Sequence, residues 1–186
     1  MTPNFYLTIT ELGDATWEKT QGLSVMTHPD HRWKRCDIKS LNLLPNVLAR
    51  REAERQGCSE AILVDEQGMI TEGSASAFFA VCGAPNAHGA WPGLCLRTSA
   101  LHVNILPSVT RKYVIESAQA IGLNVIEQSV AVEEAKVAEE LFMAVTTRDI
   151  LPIVKFDGHT ISQGRPGKVT QALMQAFQQF VGFESV

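Results

Sequence analysis

Short apolar runs alternate with helix-type periods along this chain, and that alternation constrains the fold more than any other feature. Residues 61–64 and 141–145 are apolar runs of the length typical of buried strands. Near the end of the chain, Val169, Leu173 and Phe177 recur at helical spacing, so they lie on one face of a predicted helix. Interleaved strands and helices favour a mixed α/β domain.

The same patterns place the individual elements, and turn residues separate them. Gly57 and Gly122 follow two predicted helices, and each is expected to end the helix before it. Strands are predicted over residues 5–9, 23–27, 77–81, 125–126 and 141–145, and hairpins over 61–71 and 153–161. Helices are predicted from Asn42, from Ser108, over 133–140 and at the end of the chain. Residues 82–93 are predicted to form a surface loop.

Composition narrows the class of protein. The chain has 186 residues, a net charge of -4 and 45% hydrophobic residues, which suits one soluble domain. No basic stripe predicts a nucleic-acid partner, and no apolar run reaches the roughly 18 residues that span a membrane. The start of the chain does not read as a secretory signal, and the four cysteines lack C-x-x-C spacing, so we expect free thiols in the cytoplasm and no metal site.

Lys39 is the first candidate for a chemical role. Its apolar neighbours Ile38, Leu41, Leu43 and Leu44 are expected to shield the amine from water, and desolvation lowers the pKa of a lysine. A neutral amine attacks aldehydes and accepts protons as a general base. Taken alone, Lys39 equally fits a surface lysine whose stem covers apolar surface.

Glu72 is the second candidate. It ends a predicted strand, and Gly73 permits a sharp bend directly after it. A carboxylate at such a bend can face a site, and opposite a pyridine nitrogen it favours the protonated ring. The same residue also fits an exposed turn glutamate.

Two further segments have the character of anion-binding turns. Ser108 opens a predicted helix after Pro107, and the free amides of a first turn bind anions, with the Thr110 hydroxyl adding a further donor. Thr146 and Thr147 follow a predicted buried strand and offer similar groups. Each segment alone also fits a plain helix cap or polar turn.

One amine, one carboxylate and two anion-binding turns are the groups that a protein needs to hold and use pyridoxal phosphate. Their order and spacing are also those of a known family. Residues 32–49 (RWKRCDIKSLNLLPNVLA) closely resemble the lysine segment of D-amino-acid (D-alanine) aminotransferases, which are fold-type IV pyridoxal-phosphate enzymes. The segments EAILV (60–64), TEGS (71–74), ILPSVTR (105–111) and the segment at Thr146 also match.

The resemblance implies a fold, a reaction and a site. The fold is that of the family's C-terminal domain, with a mixed, barrel-like sheet and flanking helices. The reaction is transfer of an amino group between a D-amino acid and a 2-oxo acid through an aldimine on Lys39. Glu72 is implied to pair with the pyridine nitrogen, Leu106 to pack on the ring, and Val109, Thr110 and Thr146 to bind the phosphate.

The resemblance also includes a charged pair near the site and two positions that differ from the family pattern. Arg32 and Glu60 match a charged pair near the site. Ala75 and Ala77 stand where family members usually carry Ser and Asn, so hydrogen bonds near the cofactor are expected to be lost.

The family's smaller N-terminal domain has no counterpart in this chain. Residues 1–186 are therefore expected to form one cofactor-binding domain of a longer enzyme, which the family resemblance implies is a homodimer. Two other functions stay open: a pyridoxal-phosphate lyase of the same fold, and a non-catalytic module that kept the fold.

Overall fold

The computed structural model describes residues 4–182. Within them the chain forms five α-helices, nine strands and one 3-10 turn. In chain order these are α1 Thr16–Gln21, β1 Leu23–Pro29, α2 Leu44–Arg55, β2 Glu60–Val64, β3 Ile70–Gly73, β4 Ala77–Gly83, β5 Leu94–Thr98, α3 Val109–Ala120, β6 Asn124–Glu127, α4 Val132–Lys136, β7 Glu140–Val145, β8 Asp149–Phe156, β9 His159–Thr160, the 3-10 turn Ser162–Gly164 and α5 Lys168–Val181.

The strands form one mixed sheet, which confirms the predicted class of fold. Its order is β3-β2-β1-β8-β7-β4-β5-β6, with β9 paired to β8. β1 runs parallel to both β2 and β8, and β5 runs parallel to β6, whereas the other pairs are antiparallel. A register shift at Leu23/Ser24 interrupts the β1–β8 pairing, and such bulges bend a sheet.

Both faces of the sheet are buried, because alternate side chains of its central strands enter two different cores. In β4, Phe78 packs with Val25 and Ile70 from the other half of the sheet. Its neighbour Phe79 points to the opposite face, where it stacks on Phe142 of β7 with ring centroids 4.9 Å apart. The sheet is thus curled into a half-barrel in which β3 approaches β4.

The helices cover the outside of this half-barrel. α3 and α5 pack on the face that carries Phe79 and Phe142, through Val114 and Leu173 among others. α2 packs on β1 and β2 through Ala49, which leaves most of its larger apolar side chains uncovered. None of the helices in the described part of the chain is long and apolar enough to cross a membrane.

Most predicted elements are present, and the exceptions have identifiable causes. The strand predicted over residues 5–9 is wrong: residues 4–15 contain no helix or strand, and Phe5 is 89% exposed. A strand needs a neighbouring strand as well as a favourable composition, and this segment pairs with none among the described residues.

The other exceptions concern pairing and length. β4 does not extend the β2–β3 hairpin but pairs with β5 and β7, and it continues two residues into the predicted loop. β6 is half-buried instead of buried because it forms the sheet edge. α1 and β5 were not predicted: α1 (TWEKTQ) has no apolar residues at helical spacing, and β5 (LCLRT) directly follows the segment rich in Gly and Pro.

Candidate active site

A cavity of about 710 Å³ opens where four segments singled out in the sequence converge. It lies between the loop that precedes α2, the β3–β4 turn, the loop that precedes α3 and the end of β7. Lys39, Glu72, Leu106 and Thr146 all line it. Residues that are up to about a hundred positions apart in sequence are thereby brought to one site.

Glu72 lies at one end of this cavity and is only 6% exposed. Its Oε1 accepts hydrogen bonds from Arg32 Nη1 and, at 3.1 Å, from the amide of Leu106. Among the described residues, both hydrogen bonds to this carboxylate go to Oε1. That oxygen therefore positions the side chain.

Gly73 allows Glu72 to occupy this position, although not through an unusual φ angle. Its amide donates to the carbonyl of Ser76 at 2.8 Å, which closes a tight turn between β3 and β4. A Cβ at position 73 would overlap Ser76 Oγ, so any larger residue would open the turn. The glycine is required by close approach.

Arg32 joins Glu72 to a second carboxylate, Asp30, and all three side chains are buried. Arg32 Nε and Nη2 form a two-pronged contact with Asp30, with distances of 2.9 and 2.8 Å. Thr71 Oγ1 donates to the same carboxylate at 2.9 Å. A guanidinium held on both sides in this way is a rigid support for Glu72.

Burial and the shared arginine act in opposite directions on the pKa values of the two acids. Burial raises the pKa of Glu72 above its usual range, because desolvation outweighs the Arg32 charge. Burial also acts to raise the pKa of Asp30, but the two-pronged contact with Arg32 outweighs it and the pKa is lowered. Both acids hold the pKa of Arg32 well above its usual value despite burial, so the guanidinium stays charged.

Asn104 ties the loop that contains Arg32 to the loop that precedes α3. Its Nδ2 donates to the carbonyl of Trp33 at 2.9 Å, and its Oδ1 accepts from the Cys36 amide at 3.2 Å. Arg32 Nη2 donates to its carbonyl at 3.0 Å. Sequence reasoning missed both Asp30 and Asn104, because neither belongs to a motif. Asn104 meets Arg32 across 72 positions, and Asp30, although only two positions from Arg32, meets Thr71 across 41.

Glu60 is buried beneath the β3–β4 turn, but it does not pair with Arg32. Its carboxylate accepts a hydrogen bond from Ser74 Oγ and one from Arg50 Nη1 at 3.2 Å. Burial raises its pKa, and the Ser74 bond and the Arg50 charge oppose that rise only in part. Arg32 and Glu60 do not pair with each other. Arg32 pairs with Asp30 and Glu72, whereas Glu60 pairs with Arg50.

The two predicted anion-binding segments meet each other. Ser108 caps α3, since its Oγ accepts from the Arg111 amide at 3.2 Å. The hydroxyls of Thr110 and Thr146 lie 3.3 Å apart. Of the predicted phosphate residues, Thr146 lines the cavity, whereas neither Val109, which is 69% exposed, nor the buried Thr110 lines it. At Val109 the backbone amide of the helix N-terminus is the group suited to an anion.

Lys39 lines the cavity from its rim, and its side chain is exposed. The shielding predicted from its neighbours is not present in this chain: Leu41 is 95% exposed, and Ile38, Leu43 and Leu44 are exposed as well. The apolar pattern predicted burial, but this loop runs along the outside of the half-barrel. Its apolar side chains therefore lie outside the three cores.

Ala75 and Ala77 line the cavity and offer no side-chain hydrogen bond to a ligand. Within residues 4–182 no group of three or more His, Cys, Asp or Glu is arranged to hold a metal ion. The four cysteines are free thiols.

Comparison with known proteins gives this geometry a context. Residues 1–156 match the amino-transferase class IV family. A relative named D-alanine aminotransferase, from Bacillus licheniformis, is 36% identical over 164 residues, which are 88% of this chain and 54% of that protein. The solved structure of Escherichia coli branched-chain amino acid aminotransferase is 30% identical, has a TM-score of 0.72 and aligns over 90% of this chain and 53% of its own.

A further solved structure, a branched-chain aminotransferase from the thermophilic archaeon Thermoproteus uzoniensis with norvaline, is 27% identical with a TM-score of 0.76, over 94% of this chain and 56% of its own. Another branched-chain amino acid aminotransferase structure, solved with pyridoxamine 5'-phosphate, has a TM-score of 0.74 at 26% identity. The chain spans about half the length of the curated relatives that it matches. Its fold, its matched residues and the convergence of its four motifs agree, and the chain belongs to the amino-transferase class IV family.

Proposed function

We propose that this chain is the cofactor-binding domain of a pyridoxal-phosphate-dependent aminotransferase that moves an amino group between an amino acid and a 2-oxo acid. The observation that carries the proposal is the placement of Glu72: a buried carboxylate, fixed through Oε1, that lines a 710 Å³ cavity. Class IV aminotransferases are pyridoxal-phosphate enzymes, and this arrangement suits a protonated pyridine nitrogen.

The residues present fit each part of that cofactor. Glu72 would hold the ring nitrogen, and Leu106, half-buried in the cavity wall, would lie against the ring. The Val109 amide and the hydroxyls of Thr110 and Thr146 would hold the phosphate, because they meet at the N-terminus of α3. When bound, the cofactor supplies an aldehyde that condenses with amines and a ring that withdraws electrons.

Lys39 Nζ is the amine that we assign to covalent attachment of the cofactor. Released from that bond, the same Nζ would accept a proton from the substrate and return it, as a general base and then a general acid. Its position at the cavity rim gives an incoming substrate direct access to it.

We propose a D-amino acid as the donor, on the strength of relatives named D-alanine aminotransferase. We also propose that the enzyme works as a homodimer in the cytoplasm, with no nucleic acid or membrane partner. The exposed Leu41, Leu44 and Leu48 form an apolar surface beside the cavity that an association would cover, and free thiols suit a reducing compartment. The chain as given, residues 1–186, is proposed to be one domain of the longer enzyme.

Borohydride trapping tests the assignment directly. The purified chain is mixed with pyridoxal phosphate, its absorbance is recorded, and the adduct is reduced and mapped to a peptide. We expect one label on Lys39, lost in Lys39→Ala. Lys34→Ala is the matched control, since Lys34 is exposed in the same loop and does not line the cavity.

Labels spread over several lysines, or unchanged in Lys39→Ala, would refute the assignment. The full-length enzyme then separates the reactions: with D-alanine, formation of pyruvate that requires an added 2-oxo acid indicates amino transfer. D-serine, which carries a β-hydroxyl leaving group, tests the alternative: pyruvate and ammonia formed from it without that acceptor, by elimination of the hydroxyl, would indicate a lyase instead.

A further inference from the structure

Helix α1 contacts the start of β8 and the loop that carries Thr146. Lys19 Nζ lies 2.8 Å from Asp149 Oδ2, and Arg148 Nη1 lies 3.1 Å from Glu18 Oε1. An acid and a base that are adjacent on the helix therefore face a base and an acid that are adjacent in the loop. The two pairs connect segments 130 positions apart in sequence.

The loop that receives these ion pairs has a demanding backbone. Val145 and Asp149 form the last pair of β7 and β8, so residues 146–148 make a three-residue hairpin loop. Asp149 has a φ of +59°, in the left-handed region where such hairpins usually place glycine. A contact that holds the Asp149 side chain therefore also favours the conformation that the loop needs.

The helix is itself firmly placed on the sheet. Ala15, just before it, is buried in the first core, and Gly22, just after it, lies so close to Val154 of β8 that a Cβ would overlap that side chain. Glu18 and Lys19 consequently project from a fixed support, about one-fifth of each side chain being exposed. Their partners Arg148 and Asp149 are about 40% exposed, so each pair alone is partly screened by water, but two adjacent pairs that act together hold the loop better than an isolated surface pair.

We infer that Glu18 and Lys19 are positioning residues for the phosphate site, acting through the 146–148 loop. By fixing Arg148 and Asp149, they keep the Thr146 hydroxyl next to that of Thr110, 3.3 Å away at the start of α3. This inference rests on the proposed function, because it assigns the 146–148 loop to phosphate. It gives α1 a role in affinity for the phosphate group alone.

The test compares pyridoxal phosphate with pyridoxal, which lacks the phosphate, as ligands of the full chain. The double variant Glu18→Gln/Lys19→Gln removes both pairs without changing the net charge. We expect its affinity for pyridoxal phosphate to fall about three- to tenfold, while its affinity for pyridoxal stays the same. Glu133→Gln/Lys136→Gln is the matched control, since it removes an ion pair on α4, away from the cavity, and also conserves charge. Lys19→Arg keeps both pairs and should retain full affinity.

Three outcomes are distinguishable. If the unsubstituted chain does not prefer pyridoxal phosphate to pyridoxal, the phosphate assignment fails and takes this inference with it. If that preference exists and survives unchanged in Glu18→Gln/Lys19→Gln, only the inference about α1 is overturned. An equal loss for both ligands would also overturn it, because a general loosening of the fold weakens both.

Discussion

The two ends of the cavity are built in opposite ways. At the acid end, Glu72 is buried, and Arg32, Asp30 and the Leu106 amide hold it in one position. At the amine end, Lys39 is exposed and stands among exposed apolar side chains such as Leu41. The acid is thus held in place by groups of this chain, whereas the amine lies exposed and has no comparable network among the described residues.

This difference suggests a division of labour in the site. A buried charge network is rigid only when every member is paired, and the acid end meets that condition. An exposed lysine, in contrast, contributes little to folding. Its amine is favoured in the neutral, reactive form only where water is excluded. Four predictions test this comparison, from the largest expected effect to the smallest.

Removal of Arg32 should have the largest effect on stability. Arg32→Met leaves two buried carboxylates without their shared cation, and uncompensated buried charge is strongly destabilising. We expect the free energy of unfolding to fall by about 3–5 kcal/mol, measured by urea denaturation. Arg35→Met, which breaks an exposed pair with Asp37, should lower it by less than about 1 kcal/mol. Equal effects of the two variants would mean that the acid end is no better built than the surface.

Loss of Asn104 should have an intermediate effect. Asn104→Ala removes the two side-chain hydrogen bonds that hold the loop at Trp33 and Cys36, at about 1–2 kcal/mol of stability in total. The Cys36 amide should then exchange with deuterium faster, because its acceptor is gone. Unchanged exchange at Cys36 would show that Asn104 does not anchor this loop.

The pH dependence of stability tests the raised pKa of Glu72. Between its ordinary value of about 4.3 and the raised folded value, the folded chain binds more protons than the unfolded chain. The contribution of Glu72 to stability is therefore fully present below the ordinary pKa and is lost as the pH rises through the folded pKa. The neutral variant Glu72→Gln should lack this decline, so the parent should lose stability relative to it as the pH rises above about 4.3.

Asp30 does not confuse that measurement. Its lowered pKa makes its contribution present above its ordinary value of about 3.9 and lost only in more acidic solution. Glu60, whose pKa is also raised, contributes in both proteins, so the difference in unfolding free energy between the parent and Glu72→Gln, titrated from about pH 4.5 upward, isolates Glu72. A difference between parent and Glu72→Gln that grows in the opposite direction would mean that Arg32 outweighs burial and lowers the pKa of Glu72.

The sequence predicted the residues of both ends that lie in local motifs, but not the network that supports Glu72. Lys39, Glu72, Leu106 and Thr146 lie in local motifs, and the alternation of Phe78 and Phe79 between two cores follows from the period of a strand. These features depend on neighbours in sequence, so local patterns reveal them.

The network behind Glu72 depends on contacts between distant segments, and no local pattern marks it. Asp30 stands two positions before Arg32, but only the fold brings this pair to Glu72, 40 positions away, and to Asn104, 72 positions away. The same limit explains the wrong strand at Phe5 and the wrong shielding of Lys39. In both cases the apolar pattern predicted burial, but the fold of the described residues leaves these side chains exposed.

The smallest effect on stability is expected at Lys39 itself. Lys39→Met removes an exposed charge that has no ion pair among the described residues, so the free energy of unfolding should change by less than about 0.5 kcal/mol. The same variant should nevertheless lose borohydride-trapped cofactor completely, because no other amine lines the described cavity. A loss of stability comparable to that of Arg32→Met would show that Lys39 is part of the folded framework. The contrast between a rigid acid end and an open amine end would then not hold.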